Sequence, residues 1–187
     1  MTLLHRFLGA FALVALMAGG SATAAAPKVE GTPVPIAPKP DFSSMKFLIG
    51  TWTCSNSSSR RPGPFTTTEV YSMDSTGYWM LRTDTTRKAS WIPRDFHSGT
   101  KYTFDPYAKR WVRITTGDVG GYSVATAPMP TGSTKTYTYV IQTKAPDIAS
   151  YAPEVYTKVS DTKKIMTTSF TETGGRVVNV KQTCTKG

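Results

Sequence analysis

From Phe47 onwards, apolar and polar positions alternate in short runs, and in no window do apolar residues recur at helical spacing. The runs are rich in Thr, Tyr, Val, Trp and Ile, and Gly, Pro, Asp and Asn separate them at short intervals, which is typical of strands joined by tight turns. One capped helical turn is predicted before them at Asp41–Lys46, with Asp41 or Ser43 as the cap. The pattern predicts about ten strands, near residues 47–55, 65–73, 78–87, 101–104, 111–116, 121–125, 135–143, 154–159, 164–171 and 176–185.

The turns favour an antiparallel meander. Asp74–Gly77 fits a turn with glycine last, and Thr173–Gly175 supplies the positive φ that a hairpin needs. A meander this long exposes two edges unless it closes, so we predict an all-β, antiparallel up-and-down barrel, with a two-sheet sandwich as the alternative. The aromatic stretch Arg87–Gly99 breaks the rhythm and predicts a long loop, a candidate lid over one mouth.

The residues before the strands predict export. A basic start, an uncharged apolar run and Ser21–Ala24 form a signal peptide at 1–24, with an uncleaved anchor as the alternative. The proline-rich segment 25–40 predicts an extended linker, and the barrel domain is then 41–187. We therefore expect a periplasmic or extracellular protein with no transmembrane anchor after cleavage.

The chain is basic, with a formal charge of +10, and loss of Arg6 with the signal leaves +9. Such a positive net charge favours anionic envelope polymers as partners, and the alternative explanation is that it only keeps the protein soluble. The basic residues form no run longer than a pair, such as Arg60–Arg61, so no specific nucleic-acid partner is predicted.

Two cysteines remain in the predicted mature chain, Cys54 and Cys184, and an even pair in an exported protein indicates a disulfide. If they face each other in an antiparallel ladder, every pair of facing residues in that ladder has residue numbers with the same sum, which defines the register. Trp52 then faces Lys186, and the first strand is long and bent. The alternative is a chain end that curls across the barrel mouth.

Several short motifs resemble the calycin barrels. Gly50-x-Trp52 on the first strand looks like the signature shared by lipocalins, fatty-acid-binding proteins and nitrobindin-like barrels. The segments 102–106 and 118–122, and the closing Cys184-x-Lys186, resemble secreted bacterial barrels of the nitrobindin-like kind. The resemblance implies that Trp52 plugs one end of the barrel, that Gly50 lets a neighbour approach, and that Lys186 or Lys181 lies over the indole ring.

Catalytic and cofactor chemistry finds little support in the sequence. His97 is the one histidine of the predicted mature chain, and no later histidine exists to bind haem as in nitrobindin-like barrels. Clustered zinc ligands are also missing from the sequence, so no metal and no cofactor are predicted. Acid–base pairs such as Asp84 with Asp95, or Glu69 with Glu172, have no sequence feature that brings them together.

Strand alternation suggests which side chains line a lumen. Tyr71, Trp79, Tyr137 and Tyr139 are candidate ligand contacts, and Arg113 is a carboxylate anchor if it points inward. The leading hypothesis is a non-catalytic barrel that binds a small apolar or amphipathic ligand. The alternatives are an envelope interaction protein with a basic outer face, and a lumen enzyme of isomerase or cyclase type that uses Arg113 and a tyrosine.

Overall fold

The computed structural model describes residues 31, 36–128 and 135–187, and the folded unit spans Ile36–Gly187. The predicted signal peptide and most of the predicted linker lie outside the described residues. Residues 36–40, the described end of that linker, are neither helix nor strand. Within the described ranges, no helix has both the length and the apolar character needed to cross a membrane.

A 3-10 turn at Ser43–Leu48 precedes eleven strands. The strands are β1 (Gly50–Ser58), β2 (Phe65–Met73), β3 (Met80–Thr86), β4 (Phe96–Asp105), β5 (Arg110–Gly117), β6 (Tyr122–Pro128), β7 (Thr136–Ile141), β8 (Ile148–Tyr151), β9 (Glu154–Ser160), β10 (Lys163–Glu172) and β11 (Val177–Lys186).

Ten of the strands form a closed antiparallel barrel, because β11 pairs with both β10 and β1. The extra strand, β8, pairs with the far end of β10, beside the stretch that pairs with β9. Its position follows from Pro153, which lies between β8 and β9 and cannot donate a ladder hydrogen bond. The closed barrel confirms the predicted fold class and agrees with the calycin-like resemblance.

Two predicted boundaries are wrong. Residues 47 and 48 belong to the 3-10 turn, so β1 begins at Gly50 and not at Phe47. The long loop ends at Asp95, because Phe96–Gly99 pair with β3 as part of β4. His97 therefore lies on a strand, exposed, with its Nδ1 atom 3.2 Å from the Thr85 hydroxyl.

The remaining loop lies at the mouth where β1 ends and β2 begins. The ring of Trp91 meets the ring of Phe65 edge-on with a centroid distance of 5.0 Å, and the guanidinium of Arg61 lies 5.4 Å from the Trp91 ring centre. Arg94 reaches the β5–β6 turn, where it contacts Asp118 at 2.6 Å. These contacts place the loop at the rim, and its role as a lid stays a prediction.

The predicted register of the first and last strands is confirmed. Cys54 pairs with Cys184 and Trp52 pairs with Lys186, along a β1 that continues to Ser58. Lys186 crosses the buried Trp52 ring at 5.6 Å and donates a hydrogen bond of 2.9 Å to the carbonyl of Phe47. The indole nitrogen donates to the carbonyl of Leu48 at 2.7 Å.

The turn at Ser43–Leu48, together with Phe42, closes the mouth where β1 begins, and we call it the plug. Met45 and Leu48 are buried in the core, and the ring of Phe42 packs on that of Trp111 at 5.2 Å. The hydroxyl of Tyr137 donates a hydrogen bond of 2.7 Å to the carbonyl of Ser44. Apolar packing and three side-chain hydrogen bonds therefore hold the plug to the barrel.

Gly50 is required where Lys186 crosses the barrel mouth. Its φ is +119°, in the region that favours glycine, and a Cβ atom there would lie 2.9 Å from Cε of Lys186. The stem of Lys186 occupies the space that a side chain would need. The Gly-x-Trp motif is thus explained by the lysine that covers the tryptophan.

We predict that Gly50→Ala lowers the free energy of unfolding by roughly 1–3 kcal/mol, mainly because alanine is strained at this φ. Chemical denaturation of the wild type and the variant measures the loss. Combining the change with Lys186→Ala separates the two causes, because removing the lysine relieves only the contact with Cε. A Gly50→Ala variant as stable as the wild type contradicts this account.

The disulfide joins Cys54 to Cys184, which are 130 residues apart in sequence and both buried. It crosslinks the two strands whose pairing closes the barrel. In the chain-entropy model a loop of this length stabilises the fold by at most about 5 kcal/mol.

We predict that the double variant Cys54→Ala, Cys184→Ala melts roughly 10 °C lower than the wild type, since about 4 kcal/mol of loop-closure stabilisation is lost. Scanning calorimetry measures the shift. Thiol labelling of denatured, non-reduced wild type is the control, and full modification of both cysteines would show that the bond is absent from the protein.

Candidate functional site

The barrel interior beneath the plug is an aromatic chamber. The chamber is a cavity of about 30 Å³, which suffices for roughly two waters. It is lined by Met45, Phe47, Leu48, Tyr71, Tyr102, Tyr137, Tyr139, Tyr156, Thr157, Lys158 and Lys164. A ligand larger than water therefore fits this half only if the plug or the tyrosines move.

Six charged side chains cross the middle of the barrel, and we call them the interior ion cluster. They are Glu69, Arg82, Asp84, Arg113, Glu154 and Lys164. Three are basic and three acidic, so the cluster has no net formal charge. All of them occupy strand positions whose side chains point inward.

Lys164 on β10 and its partner Glu69 are the most enclosed members, with 3% and 2% of their side chains exposed. The Lys164 ammonium contacts the Glu69 carboxylate, donates to the Tyr71 hydroxyl at 2.7 Å, and lies 5.0 Å from the Trp52 ring and 4.4 Å from the Tyr71 ring. Tyr71 in turn donates to Glu69 at 3.0 Å. This hydrogen-bonded group holds a buried charge against the capping tryptophan.

Arg82 and Asp84 of β3 continue the cluster towards the other mouth. Nε of Arg82 donates to Oδ2 of Asp84 at 3.1 Å, and Nη2 donates to the hydroxyl of Thr100 at 3.2 Å. Ser98 donates to the same Asp84 oxygen at 2.8 Å, and Nη1 of Arg82 lies 4.0 Å from Glu69. Arg82 therefore links the Glu69–Lys164 pair to Asp84.

Arg113 on β5 forms the second arm of the cluster. It contacts the carboxylate of Glu154, donates to the hydroxyl of Tyr156 at 3.0 Å, and lies 5.1 Å from the ring centre of Tyr139. Only 4% of its side chain is exposed, so the arginine points inward as the anchor hypothesis requires. Its partner here is a carboxylate of the chain itself.

The half of the barrel beyond the cluster is lined by smaller polar groups. Asn56 donates to the hydroxyl of Thr67 at 3.0 Å and accepts from Gln182 at 3.0 Å. Several inward positions of this half are only half-buried, in contrast to the closed plug end. They include Thr86, Ser98, Thr115, Ser123 and Met166. The interior is therefore reached more readily from the mouth opposite the plug.

The five predicted ligand contacts separate into two groups. Tyr71, Tyr137 and Tyr139 line the aromatic chamber, and Arg113 lies beside Tyr139. Trp79 does not join them, because it lies on the outer side of the wall in a shallow groove with Leu81 and Lys101. It precedes β3, in which Met80 and Arg82 point inward.

Sequence reasoning missed five members of the interior ion cluster as a group. The signal was present in the alternation, because Glu69 shares its face with Tyr71, and Lys164 shares its face with Met166. What the sequence does not show is that acids and bases from distant strands meet inside.

The acid pairs considered from sequence do not form. Asp95 lies outside the barrel with Arg87 at 2.8 Å, and Glu172 pairs with Arg176 at 2.6 Å. Glu69 instead faces Asp84 across the β2–β3 ladder. Of the described residues, one trio has metal-ligand geometry, Cys54, Glu69 and Cys184, but its two sulfur atoms are joined as a disulfide.

Burial shifts the pKa values of the cluster in distinct directions. Loss of solvent raises the pKa of Asp84 despite Arg82 beside it. Burial also opposes ionisation of Glu69, but Arg82 and Lys164 outweigh it and lower the pKa of that carboxyl. Desolvation lowers the pKa of Lys164 to about 8, even with Glu69 in contact. Lys164 is thus the member closest to losing its charge near neutral pH.

Three polar atoms of the site have no hydrogen-bond partner in the described part of the chain. They are Oδ1 of Asp84, Nε of Arg113 and the hydroxyl of Tyr139, and each is buried. Oδ1 lies 2.9 Å from Nε of Arg82, whose hydrogen bond goes to Oδ2. Buried polar groups are normally satisfied, so these atoms mark where a water or ligand would bind.

Comparison with known proteins leaves the site to be argued from its own geometry. No family model matches the chain, and the search of curated proteins gives no match either.

We predict that the unfolding free energy rises by about 2 kcal/mol between pH 8 and pH 10, because of Lys164. The unfolded chain keeps this proton up to its ordinary pKa of 10.5, whereas the folded protein releases it near 8. The unfolded state then binds more protons across this window, so stability increases with pH. Above about pH 10 the buried tyrosines reverse the trend, since their pKa values are raised on folding.

Denaturation curves across this range measure the slope. Lys164→Met is the test variant and the exposed Lys101→Met is its matched control. The first should flatten the dependence and the second should leave it unchanged. A wild type whose stability is level or falls between pH 8 and pH 10 refutes the assignment.

Proposed function

We propose that this protein is an exported, non-catalytic barrel that binds a small amphipathic molecule in its interior, with the molecule's polar group at the interior ion cluster. The observation that carries the proposal is the two buried donors without a hydrogen-bond partner, Arg113 Nε and the Tyr139 hydroxyl, together with Asp84 Oδ1, whose one contact is Nε of Arg82 at 2.9 Å. Leaving such atoms without partners costs about 1–3 kcal/mol each, which a bound polar group recovers.

The charge balance of the cluster supports a ligand with no net charge. Each buried charge already has an opposite partner, and adding an unpaired ion to a desolvated site is strongly unfavourable. The free atoms include an acceptor on Asp84 and a donor on Arg113. A neutral or zwitterionic group with both a donor and an acceptor, such as an amide, complements them.

The shape of the interior supports an amphipathic body. Apolar and aromatic side chains surround the chamber under the plug, and the rim of the opposite mouth carries Phe65, Trp91 and Phe96. A purely apolar molecule would gain nothing from the cluster between them. Because the chamber holds about two waters as it stands, binding requires side chains or the plug to move.

Within calycin-like barrels, we place the chain closest in role to the lipocalin, fatty-acid-binding and nitrobindin-like binders. The capping of Trp52 by Lys186 across Gly50 supports that relation. Export rests on the predicted signal peptide and is supported by the Cys54–Cys184 disulfide. Binding of an envelope polymer and lumen catalysis stay predictions.

Native mass spectrometry of the protein, purified without detergent from its own host, tests for a retained small molecule. A titration with hexanamide tests the interior directly when it is monitored through the NMR signal of the Met166 methyl, because Met166 points into the barrel. We expect hexanamide to shift this signal more than hexanoate does. The anion brings an unpaired charge to a balanced cluster.

Tyr139→Phe removes one unpartnered hydroxyl and should weaken hexanamide binding about three- to tenfold while leaving stability unchanged or slightly higher. Arg113→Met should weaken it further, and the outward Lys101→Met is the matched control. The proposal fails if no molecule is retained and hexanamide leaves Met166 unmoved. Equal loss in the Lys101→Met control also contradicts it.

A further inference from the structure

A groove outside the lumen runs along the seam between the plug and the β2–β3 hairpin. It encloses about 520 Å³, which is within the range of small-molecule sites. Its lining residues are Lys39, Pro40, Phe42, Ser43, Lys46, Ile49, Met73, Gly77 and Met80. It is the larger of the two spaces beside the plug, since the chamber beneath offers only about 30 Å³.

The floor of this seam groove is apolar. Phe42, Ile49 and Met80 form its base, and Met73 is 39% exposed although its ladder partner Met80 is fully buried. Side chains that face the inside of a closed barrel are normally shielded from solvent. Met73 is the last inward-facing residue of β2, and it stays exposed at the mouth because the plug covers Met80 and not Met73.

The rim of the seam groove is basic. Lys39 and Lys46 are both exposed, and in the stretches described neither makes an ion pair. The one acid between them, Asp41, accepts a hydrogen bond of 2.8 Å from the amide of Ser43. Two cationic heads therefore flank an apolar floor, while the carboxylates of Asp41 and Asp74 accept hydrogen bonds within their own turns.

The rim is also held in place. The Tyr78 hydroxyl donates to the carbonyl of Ala37 at 2.9 Å, and the ammonium of Lys39 lies 5.8 Å from the Tyr78 ring. The Lys39 side chain passes close to Gly77, since its Nζ and Cδ atoms would lie 3.7 and 3.8 Å from a Cβ added there. The segment before the plug is thereby anchored across the hairpin.

We propose that the seam groove binds a monomeric anionic amphiphile, with its alkyl chain on Phe42, Ile49 and Met73 and its anionic head between Lys39 and Lys46. Apolar area favours the chain and charge complementarity favours an anion over a neutral or cationic head. This inference is independent of the interior site, where the balanced cluster favours a neutral ligand.

Methionine methyl NMR on the full mature protein distinguishes the two sites. Met73 and Met80 report on the seam groove, Met45 on the plug, and Met166 on the interior. Decanoate, kept below its micelle threshold, should shift Met73 and Met80 saturably and leave Met166 in place. Decanol and decyltrimethylammonium, with the same chain and other heads, should bind more weakly.

The variant Lys39→Met, Lys46→Met should weaken decanoate binding roughly tenfold, because it removes both cations that pair with the anionic head. Its matched control is Lys101→Met, Lys181→Met, which removes equal charge from the outer wall and should leave the affinity unchanged. Lys46→Glu should shift the preference towards decyltrimethylammonium.

Three results would overturn the proposal. They are Met73 and Met80 signals that decanoate does not move, equal affinity for decanoate and decanol, and shifts that begin only with micelles. A shift of Met166 alone would overturn the groove while leaving the interior site standing. If decanoate moves Met73 and Met80 and no interior ligand is retained, the groove proposal stands and the interior proposal fails.

Discussion

The pairing of β1 with β11 is the constraint on which the rest of this barrel depends. One register aligns the disulfide, brings Lys186 over Trp52, and requires glycine at position 50. It also completes the ring of strands, so each of the ten barrel strands has a hydrogen-bonded neighbour on both sides. A slip by one residue would turn every side chain of β11 to the opposite face and break all of these contacts together.

The same closure creates the electrostatic problem of the interior. Once the ring is closed, Lys164 on β10 lies beside Cys184 and across from Glu69 of β2, with little water around it. Burying an ammonium is costly unless opposite charge and hydrogen bonds surround it. Glu69 and Tyr71 supply them, and Arg82 joins Glu69 to Asp84. Lys164, Glu69, Arg82 and Asp84 therefore form one network across three strands, and Arg113 with Glu154 forms a separate pair beside it.

Much of the fold could be predicted from local sequence, because strand alternation and turn chemistry act over a few residues. The two cysteines then defined the register through the constant sum of paired positions. The 3-10 turn could not be predicted in this way, because Phe47 and Leu48 are residues typical of strands. Their backbone carbonyls instead accept hydrogen bonds from the Lys186 ammonium and the Trp52 indole. These tertiary hydrogen bonds override the local strand propensity. The cluster and the outward position of Trp79 likewise depend on which strands face each other in the closed ring.

Stability alone gives a weak account of the interior ion cluster. Well-packed apolar residues in place of a buried ion pair often stabilise a protein equally or better. An aromatic chamber packs in the same interior a few residues away, so apolar side chains could also have filled the positions of the cluster. Nε of Arg113 and the neighbouring Tyr139 hydroxyl are also buried without a hydrogen-bond partner, although buried polar groups are normally satisfied. Balanced charges beside buried donors without partners are the physical basis of our proposal that a polar group binds inside the barrel.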